Sequence, residues 1–123
     1  MLTFPAGVAR PSFVNLMNLL RSAAGGGAVA GVRGPNLRIG GNSADKSAYV
    51  PAGTPLPLND TYRITGADFA AYAAAVPLWN GSITPGVNFR DATSAALAVA
   101  HVAALNAAIP WSAGLVEAFE VSQ

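Results

Sequence analysis

An α/β fold built on a parallel sheet is what this sequence predicts, and three observations predict it. Short apolar segments of strand character alternate with longer segments of helical spacing, the links between most of them are short, and the helical segments are rich in alanine. Parallel strands are covered by helices on their faces, which accounts for helices so poor in charge. Hydrophobic residues make up 52% of the 123 and charged residues only 11%, so much of the helix surface must turn toward something apolar. That length supports one modest domain with a core and is too short for two.

Taken in order, residues 1–11 are irregular because Pro5, Gly7 and Pro11 interrupt regular structure. Ser12 stands at an N-cap position, and Phe13, Leu16, Met17, Leu19 and Leu20 follow at helical spacing, which predicts a first helix over Ser12 to Ala24. Gly25-Gly26-Gly27 closes it. This run follows a helix instead of a strand and carries no Lys-Ser/Thr, so it is not a phosphate loop. Asn36 to Gly40 is a short strand with Leu37 and Ile39 on one face and Arg38 on the other. Residues 42–64, rich in Pro, Gly, Ser and Asn and without a period, form a long loop of the kind that is functional or disordered.

Thr65 and Asp68 make a T-x-x-D capping pattern that opens a second helix, with Phe69, Tyr72, Ala73 and Val76 sharing a face until Pro77. A second strand falls within Ser82 to Asn88. Asp91 or Thr93 caps a third helix from Ala92 to about Ala108, with Leu97, Ala100, Ala104 and Leu105 on one stripe, and Pro110 ends it. Leu115 to Val121 is the third strand. The order helix, strand, helix, strand, helix, strand predicts parallel pairing with right-handed crossovers and leaves a sheet edge and the last strand uncovered, as in a piece of something larger.

Composition excludes several function classes. A net charge of +1, with Lys46 the only lysine, gives no electrostatic footprint for nucleic acid. The absence of cysteine removes disulfides, thiolate nucleophiles and most structural zinc sites. No apolar run reaches the roughly 20 residues of a membrane span, so no membrane partner is expected. Nor does the segment from Met1 to Pro5 have the form of a signal peptide. Asn59-Asp60-Thr61 and Asn80-Gly81-Ser82 fit the glycosylation pattern and hint at a secreted parent. His101 stands mid-helix without a second His or Cys at ligand spacing and is expected to be a boundary residue, neither metal ligand nor base. Glu117 and Glu120 are the only local carboxylate pair; three apart on a strand, they point to opposite faces and cannot form a catalytic dyad.

The run Leu37-Arg38-Ile39-Gly40-Gly41-Asn42-Ser43-Ala44-Asp45 resembles the L-R-[IVF]-G-G-x-x-x-D signature of glycoside hydrolase family 79, the β-glucuronidase and heparanase group. Gly86-Val87-Asn88-Phe89-Arg90 and Ala118-Phe119-Glu120-Val121-Ser122 are similar to that family's third and fourth barrel strands, and Phe4-Pro5-Ala6-Gly7 through Leu20 to the segment between its first and second. The resemblance implies a fragment of a TIM-type (β/α)8 barrel, roughly strands two to four with the intervening helices, and a retaining hydrolase of β-glucuronosides. It implies no cofactor, a glucuronic-acid-containing carbohydrate as ligand, and the remainder of the barrel as packing partner. In the family the fourth strand is followed by Asn-Glu-Pro, whose Glu is the acid/base, so neither catalytic carboxylate is expected within these 123 residues, and the piece alone is expected to be silent.

On that footing Arg38 and Glu120 are expected to meet inside the barrel, where Arg38 would orient a catalytic carboxylate; the alternative role of Arg38 is a buried charge satisfied by backbone carbonyls. Val116 and Ala118 would then face inward with Glu120, and Glu117 and Phe119 toward the helices. Asn42 and Asn88, just past strand ends, and Asp45, matching the family's Asp, are the expected sugar-binding residues, with loop structure as the alternative role of each. Tyr49 is the better candidate for stacking on a sugar, while Trp79 and Trp111 are expected to pack at the opposite end. Two competitors remain: a non-catalytic or carbohydrate-binding scaffold piece, and a small independent flavodoxin-like domain, which would need a phosphate site at a strand-to-helix turn.

Overall fold

A computed structural model describes residues 10–23, 33–40, 46–57, 62–89 and 92–122. In chain order the elements are α1 (Pro11–Arg21), β1 (Asn36–Ile39), β2 (Ser47–Tyr49), β3 (Tyr62–Ile64), α2 (Gly66–Ala75), β4 (Ser82–Asn88), α3 (Ala92–Ala108) and β5 (Glu120–Ser122). Two 3₁₀ turns, Val76–Trp79 and Trp111–Ala113, lead into β4 and toward β5. The fold is mixed α/β, and every strand pair is parallel: a sheet in the order β1-β4-β5, and a separate pair β2-β3.

The expected alternation of helix and strand is present, with three corrections. The first helix starts at Pro11, not after Ser12, because proline's fixed φ suits the first helical position; Arg10 takes the extended cap conformation and no side chain caps the end. Its α-helical part closes at Arg21 instead of Ala24. The connection 42–64 is not structureless, since it contains β2 and β3. Three-residue strands are too short to show a period, and their pairing comes from tertiary context, including the Arg63 Nη2 that donates to Thr54 O at 2.7 Å. The last strand is shorter than Leu115 to Val121, for a reason that lies in β4. The amino-terminal segment 1–9, the triple glycine and Asp91 lie outside the described residues.

Helix α2 opens where the T-x-x-D pattern puts it. Asp68 accepts hydrogen bonds from the Thr65 backbone N–H at 2.8 Å and the Thr65 hydroxyl at 2.7 Å, which satisfies a donor that the first turn would otherwise orphan. It ends in the Val76–Trp79 turn, after which Asn80 adopts a left-handed conformation at φ 54° and reverses the chain into β4.

Trp79 is the wedge that joins these parts. It is 1% exposed, its Nε1 donates to Pro35 O at 3.2 Å, and the Phe13 ring of α1 meets it edge-on at 5.6 Å. Around it Met17, Phe69, Val76, Ile83, Leu105 and Ile109 form one buried cluster that joins α1, α2, α3 and β4. Two glycines make room for this wedge: a Cβ on Gly34 would lie 2.0 Å from the Trp79 carbonyl oxygen, and one on Gly81 would lie 2.1 Å from Trp79 Nε1. As expected, Trp79 sits at the amino-terminal end of the sheet. Trp111 is more exposed and packs edge-on against Phe119 at 5.4 Å.

Gly34→Ala should therefore destabilise the protein by about 3 kcal/mol, because the obstacle is backbone and cannot swing away. Gly66→Ala, with open space around its Cβ position at the start of α2, should stabilise it by about 0.5 kcal/mol. Urea unfolding of the two variants measures both, and equal effects would contradict this packing.

Candidate functional site: a polar sheet face with two arginine–carboxylate pairs

The register of β1 on β4 sets Asn36 beside Ser82, Leu37 beside Ile83 and Arg38 beside Thr84. Side chains alternate, so the sheet has two unlike faces. Leu37, Ile39, Ile83 and Val116 turn toward the helices and pack in the core cluster. Asn36, Arg38, Ser82 and Thr84 turn the other way. No helix among the described residues covers this second face.

The third strand departs from regular alternation. Ile83 pairs with Val116, and Gly86 pairs with Glu120, so three steps along β4 correspond to four along the last segment. One residue is therefore extra, as in a β-bulge. Pro85 gives the physical cause. Alternate residues of a parallel strand direct their N–H and C=O groups to opposite neighbours. Ile83 addresses the last strand, donating to Leu115 O at 2.8 Å and accepting from Glu117 N at 3.0 Å. Pro85 has the same orientation but no N–H to donate, so residues 118 and 119 lose regular pairing and the chain slips by one.

This slip overturns an expectation. Glu117 and Glu120 point to the same face and not to opposite ones, because the parity between them is broken; Val116 faces the helices and Glu117 the polar side. Phe119 stays on the helix side, against Trp111. Strand periodicity is thus no ground for separating the two carboxylates. Their partners separate them instead.

Toward the carboxyl ends of the strands, Glu120 is held by Arg38 in a two-pronged pair. Nε donates to Oε2 at 2.6 Å, and Nη2 donates to Oε1. This is the expected meeting of Arg38 and Glu120, across β4 from one edge strand to the other. The path is clear because Gly86 has no side chain on that face, and because a Cβ on Gly40 would come within 2.7 Å of Glu120 Oε2. The hydrogen bond from Arg38 holds the Glu120 carboxyl below its ordinary range, and the same bond raises the guanidinium. Glu120 is therefore an anion at neutral pH, suited to accept hydrogen bonds and orient a cation, and unsuited to donate a proton.

Toward the amino ends, Glu117 accepts from Ser82 Oγ at 2.6 Å, Asn36 Nδ2 at 3.2 Å and Arg33 Nη1 at 3.2 Å. Asn36 Oδ1 accepts from Thr84 Oγ1 at 3.1 Å, and Arg33 Nη2 donates to Gly114 O at 2.5 Å. Residues so far apart in the chain carry no local signal of their meeting in this second cluster. Its one legible signal was Pro85 within a strand, which announces a break in pairing.

The other expected site residues fare differently. Asn42 and Asp45 lie outside the described residues. Asn88 ends β4 at the carboxyl rim, as expected, but is 7% exposed, and its Nδ2 donates to Ser47 O at 3.2 Å, so it ties β2 to the main sheet. Tyr49 stacks on Phe69 at 5.3 Å, which commits one ring face to the core. His101 is not a boundary residue: it is 4% exposed, beside the rings of Phe69 at 5.1 Å and Tyr49 at 6.3 Å. Burial lowers its pKa from 6.5 to about 4. Among the described residues no group of three His, Cys, Asp or Glu is placed to hold a metal. Comparison with known protein families, with curated proteins and with solved structures returns no match for this chain.

Stability should respond to acid in two stages. An unfolded His101 protonates near 6.5 and the folded one only near 4, so the unfolded state binds the extra proton in between. Stability therefore falls across that window by up to about 3 kcal/mol, and His101→Phe should remove this slope. For Glu120 the folded value is depressed, so its contribution is intact above 4.5 and fades as pH falls through the lower folded value; Glu120→Gln should flatten only this second stage. Denaturant unfolding from pH 7 to pH 3 separates the two.

Proposed function

We propose that the chain forms part of the (β/α)8 barrel of a retaining glycoside hydrolase acting on β-linked glucuronosides, contributing roughly strands two to four. The observation that carries this reading is the two-sided character of a sheet whose neighbours follow chain order, β1-β4-β5, with helices against one face and a polar arginine–carboxylate face left open. In a barrel, successive βαβ units wind the same way, so all helices fall outside and the opposite face lines the interior. The run Leu37 to Asp45, at the end of β1, joins this geometry to the family whose signature it resembles. A flavodoxin-like domain would cover both faces with helices, which the open face disfavours.

In this reading β1, β4 and β5 correspond to the second, third and fourth staves, and the rest of the barrel covers the polar face. Retaining hydrolysis needs two carboxyl groups about 5 to 5.5 Å apart, one a proton donor and one a nucleophile. Glu120, held ionised by Arg38, fills neither role; the pair positions what stands beside it. This reading assigns to the sugar Asn42 and Asp45, in the run that carries the resemblance, and Asn88, at the carboxyl end of β4. A secreted parent is part of the same proposal. The competing scaffold reading, binding without turnover, draws on the same observation that both carboxylates are neutralised by arginines.

The test uses the complete product of the reading frame that contains codons 1–123, assayed on an aryl β-D-glucuronide with the first-formed anomer followed by NMR. The expected result is hydrolysis with retention, lowered by about 10²- to 10⁴-fold when a Glu encoded directly after Gln123 is replaced by Gln. Arg38→Ala should lower kcat more than it raises KM. Binding of a glucuronide without turnover would favour the scaffold reading, and neither binding nor turnover would overturn the proposal.

A further inference from the structure

Where β2 lies against the middle of α3, a cleft of about 10 Å³ opens among Ser47, Ala48, Tyr49, Asn88, Leu97, Ala98 and His101. That is the volume of about one water-sized sphere. His101 is more than nine-tenths buried beside it, yet among the described residues its ring has no hydrogen-bond partner and meets the rings of Tyr49 and Phe69. No sealed and orphaned side-chain nitrogen or oxygen occurs among the described residues. The nitrogen edge of the ring therefore opens onto the cleft it lines. A buried polar edge without a partner costs free energy comparable to a lost hydrogen bond, unless something in the cleft supplies one.

We propose that this cleft is a binding site for a single neutral hydroxyl oxygen, anchored by His101. The walls decide the class of ligand. Leu97, Ala98 and the Tyr49 ring give a charge little compensation, which disfavours an anion or a cation. The imidazole is itself held neutral by burial, with a pKa of about 4, so at neutral pH it presents one donor and one acceptor. A hydroxyl offers the complementary donor and acceptor in the volume present. Two sources share that chemistry: a long-lived water, or the hydroxyl of a small alcohol or sugar entering from the carboxyl rim, where Asn88 lies. The site is independent of the glycosidase reading, since it rests on His101 and the cleft alone.

The experiment is NMR on the full chain at pH 7. Long-range proton–nitrogen correlation gives the His101 tautomer, and water–protein cross-relaxation detects a resident oxygen. A single neutral tautomer with a cross-peak from its ring N–H to a long-lived water is expected, lost in His101→Phe. Addition of methanol, and separately of methyl β-D-glucuronide, identifies the source: displacement of that water assigns the site to an alcohol, and an unmoved cross-peak assigns it to water. A ring N–H that exchanges at the bulk rate in the unaltered protein, with both tautomers averaged and no response to either alcohol, would overturn the proposal whether or not the variant folds.

Discussion

Pro85 is the constraint on which the polar face depends. A proline in the middle strand of a parallel sheet removes one donor from the ladder at a fixed place. The neighbouring chain is then free to carry an extra residue there, and it does so between Val116 and Glu120. Without that slip, Glu120 would fall beside the buried Val87 and turn toward the helix layer, away from Arg38, where an unpaired charge would cost several kcal/mol. With it, both glutamates reach the same face and each meets an arginine. One absent hydrogen thus sets the chemistry of a whole surface.

The two faces of the sheet do different work. Cohesion comes from the helix side, where Trp79, Phe69, Ile83 and Leu105 are buried and removal of a large aromatic would cost about 3 to 5 kcal/mol. The polar side contributes little to stability, because ion pairs whose members are largely in solvent contribute little. What it supplies is order. Arg38 ties β1 to β5 over Gly86, while Glu117 gathers β1, β4 and the approach to β5, so the edge strands are fixed relative to each other. Glycines at 40 and 86 serve this arrangement as side-chain-free ground beneath the Glu120 carboxylate.

Much of this was legible in the residues, and the misses have physical causes. The capping pattern at Thr65 and Asp68 and the alternation in Asn36 to Ile39 are local signals, and each element formed where its signal lay. The meeting of Arg38 with Glu120 followed from placing both on one face of parallel strands. Strands β2 and β3 were not legible, since three residues cannot display a period and their pairing is decided by neighbours far along the chain. The facing of Glu117 was misjudged because regular alternation was assumed through a segment whose partner carries a proline. His101 was misjudged for a related reason: a lone histidine on an alanine-rich helix gives no sign of the aromatic rings that a distant strand brings against it.

The open polar face bears on what can cover it. Parallel sheets are ordinarily buried on both sides, and a face destined for an apolar layer would carry Val, Ile and Leu at every inward position. Here the open face holds Asn36, Arg38, Ser82 and Thr84, already hydrogen-bonded among themselves and to the glutamates. Such a surface gains nothing from an oily partner, because burying its charges would demand compensation that an apolar layer lacks. It suits water, or an interior that is itself polar. The same satisfied network makes the face a poor docking site for an apolar helix.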